Sequence, residues 1–381
     1  MATQNAEPRI EETIPATMRA VVYHGVNDLR LETVPVPVIG PGELLVRIAT
    51  CGVCGTDLKK IHLGSHSAPR IFGHEMAGTI VAAGQGVTKF SVSERVMVYH
   101  HIPCGHCYYC RKQTFAQCST YKKVGATAGF EPSGGGFSEY IRVMDWIVRM
   151  GGVVRIPDGV PFEQAAFIEP VNTVLKAVKM LNLAADETVL VIGQGPIGIM
   201  LAALSRRSGA RVLTSDLYPE RHAIAAKFGL HEPIDAANVV ERTHAVTEGR
   251  GADVVMLAVG GTKLIPTAMA AVRPGGKVML FAQTQHETDS FDPGAVCMDE
   301  KTLLGSYSAS TAIQPEVEEL VLGGYRDGFD LTQLISHRFP LEEAVQAIEV
   351  ASNPKADSMK IMIEAAPGAG AERGGERWQA R

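Results

Sequence analysis

Residues 188–216 read TVLVIGQGPIGIMLAALSRRSGARVLTSD. An apolar strand pattern runs into a Gly-x-Gly-x-x-Gly turn, an apolar helix pattern follows, and a second strand pattern ends on an acid. A chain that passes from strand to helix to strand in so few residues is confined to a parallel pair with a right-handed crossover. The alternation continues through DVVMLAV and GKVMLFA as strands and TVLKAVKM and RHAIAAKFG as helices. Residues 165–304 are therefore expected to form a doubly wound parallel sheet of the Rossmann kind.

Within the turn, Gly193, Gly195 and Gly198 allow a tight bend and the close approach of a pyrophosphate. Pro196 and Ile197 open the helix that follows, whose N-terminal N–H groups and positive dipole end suit that anion. Asp216 closes the second strand, where it accepts hydrogen bonds from ribose hydroxyls and repels a 2′-phosphate. NAD is favoured over NADP on that ground. Arg221 is read as a helix-surface charge along the adenosine pocket, and it tempers the preference, because a nearby arginine tolerates a phosphate.

A chain of 381 residues has room for two domains at roughly 100–200 residues each. From Met18 to about Arg155 the texture is different. MRAVVYH, ELLVRIA and GTIVAAG are short β-rich runs split by Gly and Pro, the pattern of a small barrel or sandwich. A last helix pattern and the strand KIMIEA follow residue 304. Residues 1–17 are expected to be a disordered leader and residues 366–381 a disordered tail. The formal net charge of −5 argues against a nucleic-acid partner. The longest uncharged stretch, Thr188–Ser205, is broken by glycines and Pro196 and does not read as a membrane span. The N-terminus has no apolar signal core, so the cytoplasm is the expected location.

Four of the seven cysteines, Cys104, Cys107, Cys110 and Cys118, follow the spacing C-x2-C-x2-C-x7-C. Four thiolates spaced by short loops wrap one tetrahedral zinc ion and leave no open position, so this site is expected to be structural; an iron–sulfur cluster is the alternative. A second constellation is dispersed: Cys54 in CGVCGTD, His74 and Glu75 in FGHEMAG, and Glu169 in AFIEPVN. Cysteine, histidine and carboxylate together make an open zinc site with one position for water or substrate. Cys51 is expected to be buried packing.

These motifs resemble the zinc-containing medium-chain alcohol and polyol dehydrogenases over nearly the whole chain, from about Met18 to Ala365. GHEMAGTIVAAGQGV is similar to that family's zinc signature, CGTD to its catalytic-cysteine loop, and the four-cysteine lobe to its structural site. With IEPVNTVLKAV placing a carboxylate where alcohol dehydrogenases proper have a second cysteine, the chain resembles the sorbitol/iditol and threonine dehydrogenase branch. The resemblance implies a GroES-like β-barrel catalytic domain from residues 18–164 and 305–365 around the Rossmann domain. It also implies zinc-assisted hydride transfer between a small alcohol or polyol and NAD, two zinc ions per chain, a proton relay through Thr56, and a homodimer or homotetramer. Glu169 is expected as third catalytic ligand, or as partner of a water there, with Glu75 behind it. Glu75 reaches the same ion as its neighbour His74 only through a backbone bend, which Gly73 permits.

The chain departs from the family at Lys59, where a histidine is usual, at Ser93–Glu94, and at Ser308–Ala309, where sorbitol dehydrogenases carry an Arg-Tyr pair. The alternatives are a phosphorylated polyol met by Lys59 and Lys60, an inositol-type cyclitol, or L-threonine. A non-enzymatic zinc-lobe binding module would need a basic or aromatic surface, which the acidic balance disfavours.

Overall fold

The structure, a computed structural model, describes residues 9–10, 13–99, 102–123, 135–282 and 292–365. The tail 366–381 and most of the expected leader lie outside the described residues. The described part of that leader departs from expectation: Arg9–Ile10 is a short strand paired with Ala82–Ala83. Its place is the edge of Glu75–Ala83 that the next strand, Arg95–Val98, leaves open beyond Thr79. Two residues give no periodicity to read, which is why the sequence did not signal it.

The β-rich part is built on two sheets. Thr17–Gly25 pairs antiparallel with Asp28–Pro35 and Arg70–Ile71. The larger sheet runs in the order Ile335–Pro340, Lys360–Glu364, Leu44–Gly52, Glu75–Ala83, Arg95–Val98, Val153–Arg155, with Tyr140–Val143 also on Leu44–Gly52. Val21 N donates to Phe137 O at 2.9 Å and Ala20 bridges Ser138, which joins the two sheets. Leu44–Gly52 and Glu75–Ala83 are apolar and almost wholly buried, so this is a core sheet rather than a half-wet one. Their register sets Gly52 opposite Glu75, and Lys360–Glu364 meets the same end of Leu44–Gly52 through Met362 and Gly52.

The third sheet is parallel throughout, in the order Arg211–Ser215, Thr188–Ile192, Ala252–Leu257, Val272–Leu280, Thr302–Gly305. Val189 and Val191 pack into one buried cluster and Leu190 and Ile192 into another. Successive residues of a strand face opposite sides, so both faces of this sheet are covered and the strand is apolar without alternation. The helix Pro196–Arg207 follows the first strand in chain order and packs beside Ile168–Leu181.

Candidate active site and metal centres

Cys54 is the N-cap of the helix Gly55–Leu63. Its sulfur accepts from Thr56 N at 3.5 Å, and Asp57 closes the reciprocal half of a capping box by accepting from Cys54 N at 3.2 Å. The other oxygen of the fully buried Asp57 accepts from His74 Nδ1 at 3.0 Å. That bond fixes the tautomer and leaves Nε2 for the cysteine sulfur or a metal ion. Burial works against a charged His74, but Asp57 and then Cys54 outweigh it and hold the imidazole well above the usual histidine range. Burial likewise works against the Asp57 carboxylate, and His74 outweighs it and keeps that carboxyl low.

Gly73 stands at φ +96°, the bend that the sequence permitted, immediately before the strand that Glu75 opens. One donor atom each of Cys54, His74 and Glu75 consequently lie within 4.8 Å of one another. The compact donor group contains Glu75 and not Glu169. Glu169 stands beside it, buried in the first turn of Ile168–Leu181. Burial pushes its carboxyl up to about 7, with His74 opposing and Glu75 reinforcing the shift.

Two groups at this site escaped the sequence reading. Asp57 was legible in principle, as the fourth residue of Cys-Gly-Thr-Asp at capping-box spacing. Lys360 was not: it opens a strand remote in sequence, yet its ammonium is buried and pairs with Glu75 Oε2. Burial pulls Lys360 down, and Glu75 and Cys54 more than compensate, so it stays charged. Thr56 is partly exposed on the same helix turn. Lys59 donates to Ala282 O at 3.4 Å and Lys60 lies over the Phe72 ring at 5.8 Å, so both lysines are directed at protein groups. Ser308, in the left-handed region at φ +61°, is tied to the Tyr121 hydroxyl, and Lys176 donates to the Tyr307 and Ser308 carbonyls at 2.8 and 3.4 Å.

The four clustered cysteines also converge. Donor sulfurs of Cys104, Cys107, Cys110 and Cys118 lie within 4.8 Å of one another, with Cys107 and Cys110 at 3.5 Å, and all four are free thiols. Burial pushes the Cys110 thiol up to about 12, whereas N–H groups of Cys104 and Tyr121 overcome burial at Cys118 and bring it down to about 6. Four soft donors forced together with unequal demands on their protons suit a tetrahedral thiolate metal.

At the glycine turn, Gly193 has φ +98°, and a side chain at Gly198 would collide with the Gly193 carbonyl. Gly195 caps Pro196–Arg207, with Pro196 in the first turn and Ile197 partly buried behind it. Asp216 braces this turn: Oδ2 accepts from Gln194 N at 2.6 Å and Oδ1 from Tyr218 N at 2.8 Å. Arg221 is not the surface charge the sequence suggested. It is largely buried, reaches Asp216 at 3.2 Å, and donates to the carbonyls of Lys355 and Ser358 at 3.2 and 3.4 Å. Those carbonyls belong to a loop that leads into Lys360–Glu364, and no local pattern announces them.

Residues 40–158 match the alcohol dehydrogenase GroES-like domain family, and residues 196–322 match the zinc-binding dehydrogenase family. An L-threonine 3-dehydrogenase of Rhizobium rhizogenes is 30% identical over 332 residues, covering 84% of this chain and 91% of that protein. The chain belongs to the zinc-binding medium-chain dehydrogenases. A sorbitol dehydrogenase of Bacillus subtilis is 29% identical to this dehydrogenase, covering 92% of the chain and 98% of that protein. A zinc-binding dehydrogenase of Sinorhizobium meliloti, solved with NADP, aligns at a TM-score of 0.82 and 28% identity, covering 92% of this chain and all of that one. The fold is accordingly a GroES-like unit joined to a Rossmann unit, and the cofactors of this dehydrogenase are zinc and a nicotinamide dinucleotide. Among the described residues no helix is long and apolar enough to cross a membrane.

Proposed function

We propose that this dehydrogenase oxidises a secondary alcohol of a small polyol with NAD, and that Cys54, His74 and Glu75 hold its catalytic zinc. The observation that carries the proposal is the convergence of those three donors, with Asp57 fixing the histidine and Glu169 beside them. When bound, zinc supplies a Lewis acid for the substrate oxygen and the dinucleotide accepts hydride, so that the alcohol becomes a carbonyl and one proton is released.

The chain's own residues orient the reactants and handle that proton. Asp57 and the Cys54 cap keep two donors in place. Glu169, buried beside the donor group with its carboxyl pushed up by burial, is the proposed proton carrier at this end of the site. The Thr56 hydroxyl, two residues from Cys54, orients the substrate hydroxyl. Cys104, Cys107, Cys110 and Cys118 hold a structural zinc. A phosphorylated substrate is disfavoured, since Lys59 and Lys60 are directed at a carbonyl and a ring. The catalytic unit is assigned residues 18–164 and 305–365, and the dinucleotide unit residues 165–304. The assembly is proposed to be a homodimer or homotetramer.

An NAD-reduction screen over sugar alcohols, inositols, sugar phosphates and L-threonine tests the reading. Polyols are expected to give the highest kcat/KM, and turnover confined to L-threonine or to a phosphate ester would overturn it. Cofactor choice is tested separately. Asp216→Ala removes the carboxylate that braces the glycine turn and would repel a 2′-phosphate, while Arg221 keeps its bonds to the Lys355 and Ser358 carbonyls. The ratio of kcat/KM for NAD over NADP is expected to fall by about tenfold or more, the equivalent of one good polar contact. A wild-type enzyme that prefers NADP in steady-state kinetics refutes this role for Asp216.

A further inference from the structure

Lysine is almost never fully buried unless paired, because stripping water from an ammonium is costly. Lys360 is buried at the foot of the donor group, donating to Val53 O at 3.1 Å and pairing with the Glu75 carboxylate. The backbone is shaped to admit that pair. Gly52 lies opposite Glu75 in the sheet, and any side chain there would collide with both the Glu75 carboxylate and the Lys360 stem. Three strand ends, at Gly52, Glu75 and Lys360, thus build one slot for an ammonium against a carboxylate. The carboxylate is the one that completes the group with Cys54 and His74.

A carboxylate that neutralises an ammonium has less charge to give to a metal ion. Around the donor group, Glu75 and Asp57 are carboxylates; His74 faces Asp57, and the Lys360 ammonium is the partner of Glu75. We propose that Lys360 is a positioning residue that draws Glu75 onto its own ammonium, which weakens metal binding and leaves the metal more electrophilic toward the substrate oxygen. The proposal rests on the reading of Cys54, His74 and Glu75 as the catalytic zinc site. It makes a prediction opposite in sign to that for an ordinary outer partner of a ligand, whose removal typically costs about 10–100-fold in metal affinity or activity.

The test uses the full-length enzyme and its Lys360→Met, Lys360→Gln and Lys360→Arg variants. Zinc affinity at the catalytic site is read by chelator competition, that site being the one emptied by Cys54→Ser, and the visible spectrum is read after cobalt substitution. Lys360→Met is expected to bind zinc about tenfold more tightly, to shift the cobalt bands, and to lower kcat about tenfold with KM nearly unchanged. Lys360→Arg, which keeps the cation, is expected to restore all three. Lys360→Gln keeps a donor for Val53 O without the charge and decides the matter if the methionine variant does not fold; it is expected to behave as Lys360→Met. Neutral variants that bind zinc no more tightly than wild type and leave the cobalt spectrum unchanged would overturn the proposal, as would an arginine variant that matches the neutral ones. Retention of both zinc ions by Cys54→Ser would instead overturn the underlying site assignment.

Discussion

Cys54→Ser is expected to lose turnover by about a thousandfold or more while the protein stays folded. A bound Lewis acid supplies several kcal/mol of stabilisation to developing charge, and each 1.36 kcal/mol is tenfold in rate. Serine is a neutral, hard and much weaker donor at neutral pH, so the group of Cys54, His74 and Glu75 loses a charge and its soft ligand. The fold survives because the same side chain is the N-cap of Gly55–Leu63, and serine is among the best N-caps. Asp57 still closes the other half of the box from the backbone N–H of residue 54. Elemental analysis is expected to fall from two zinc ions per chain to one, with an unchanged far-ultraviolet circular dichroism spectrum. Full metal content in the variant would show that Cys54 is not a ligand.

Cys107→Ser is expected to act on stability instead. Cys110, Ala116, Cys118 and Tyr121 form a small buried cluster of their own, with Cys104, Cys107 and Phe115 packed against it. So little apolar surface cannot hold a loop in place by itself, and metal binding becomes folding free energy there. Loss of a metal is among the few single-residue changes that exceed about 4 kcal/mol. At about 2–4 °C per kcal/mol for domains of this size, the melting temperature should fall by roughly 10 °C. A chelator should lower the melting temperature of the wild type and change the variant far less. A variant that melts with the wild type, or iron in place of zinc, would remove the structural-zinc assignment.

What could be read in the sequence was what local spacing encodes. Gly193, Gly195, Gly198 and Asp216 announce strand, turn, helix and strand within thirty residues, and the structure assembles them around one turn. The four-cysteine run is equally local. Whether Glu75 can join Cys54 and His74 turns on a backbone bend at Gly73, which sequence could permit but not require. Lys360 and the carbonyls that hold Arg221 were invisible for a different reason. Their partners arrive from strands and loops far along the chain, and a lysine at the head of an apolar strand looks the same whether it meets water or a carboxylate. Arg9–Ile10 shows the lower limit: two residues on an open edge carry no pattern at all.

Asp57 ties the start of the helix Gly55–Leu63 to the imidazole of His74, one oxygen to each. A single carboxyl therefore serves two elements at once. A side chain with one acceptor, such as asparagine, can keep the helix cap or the aim of the ring but not both.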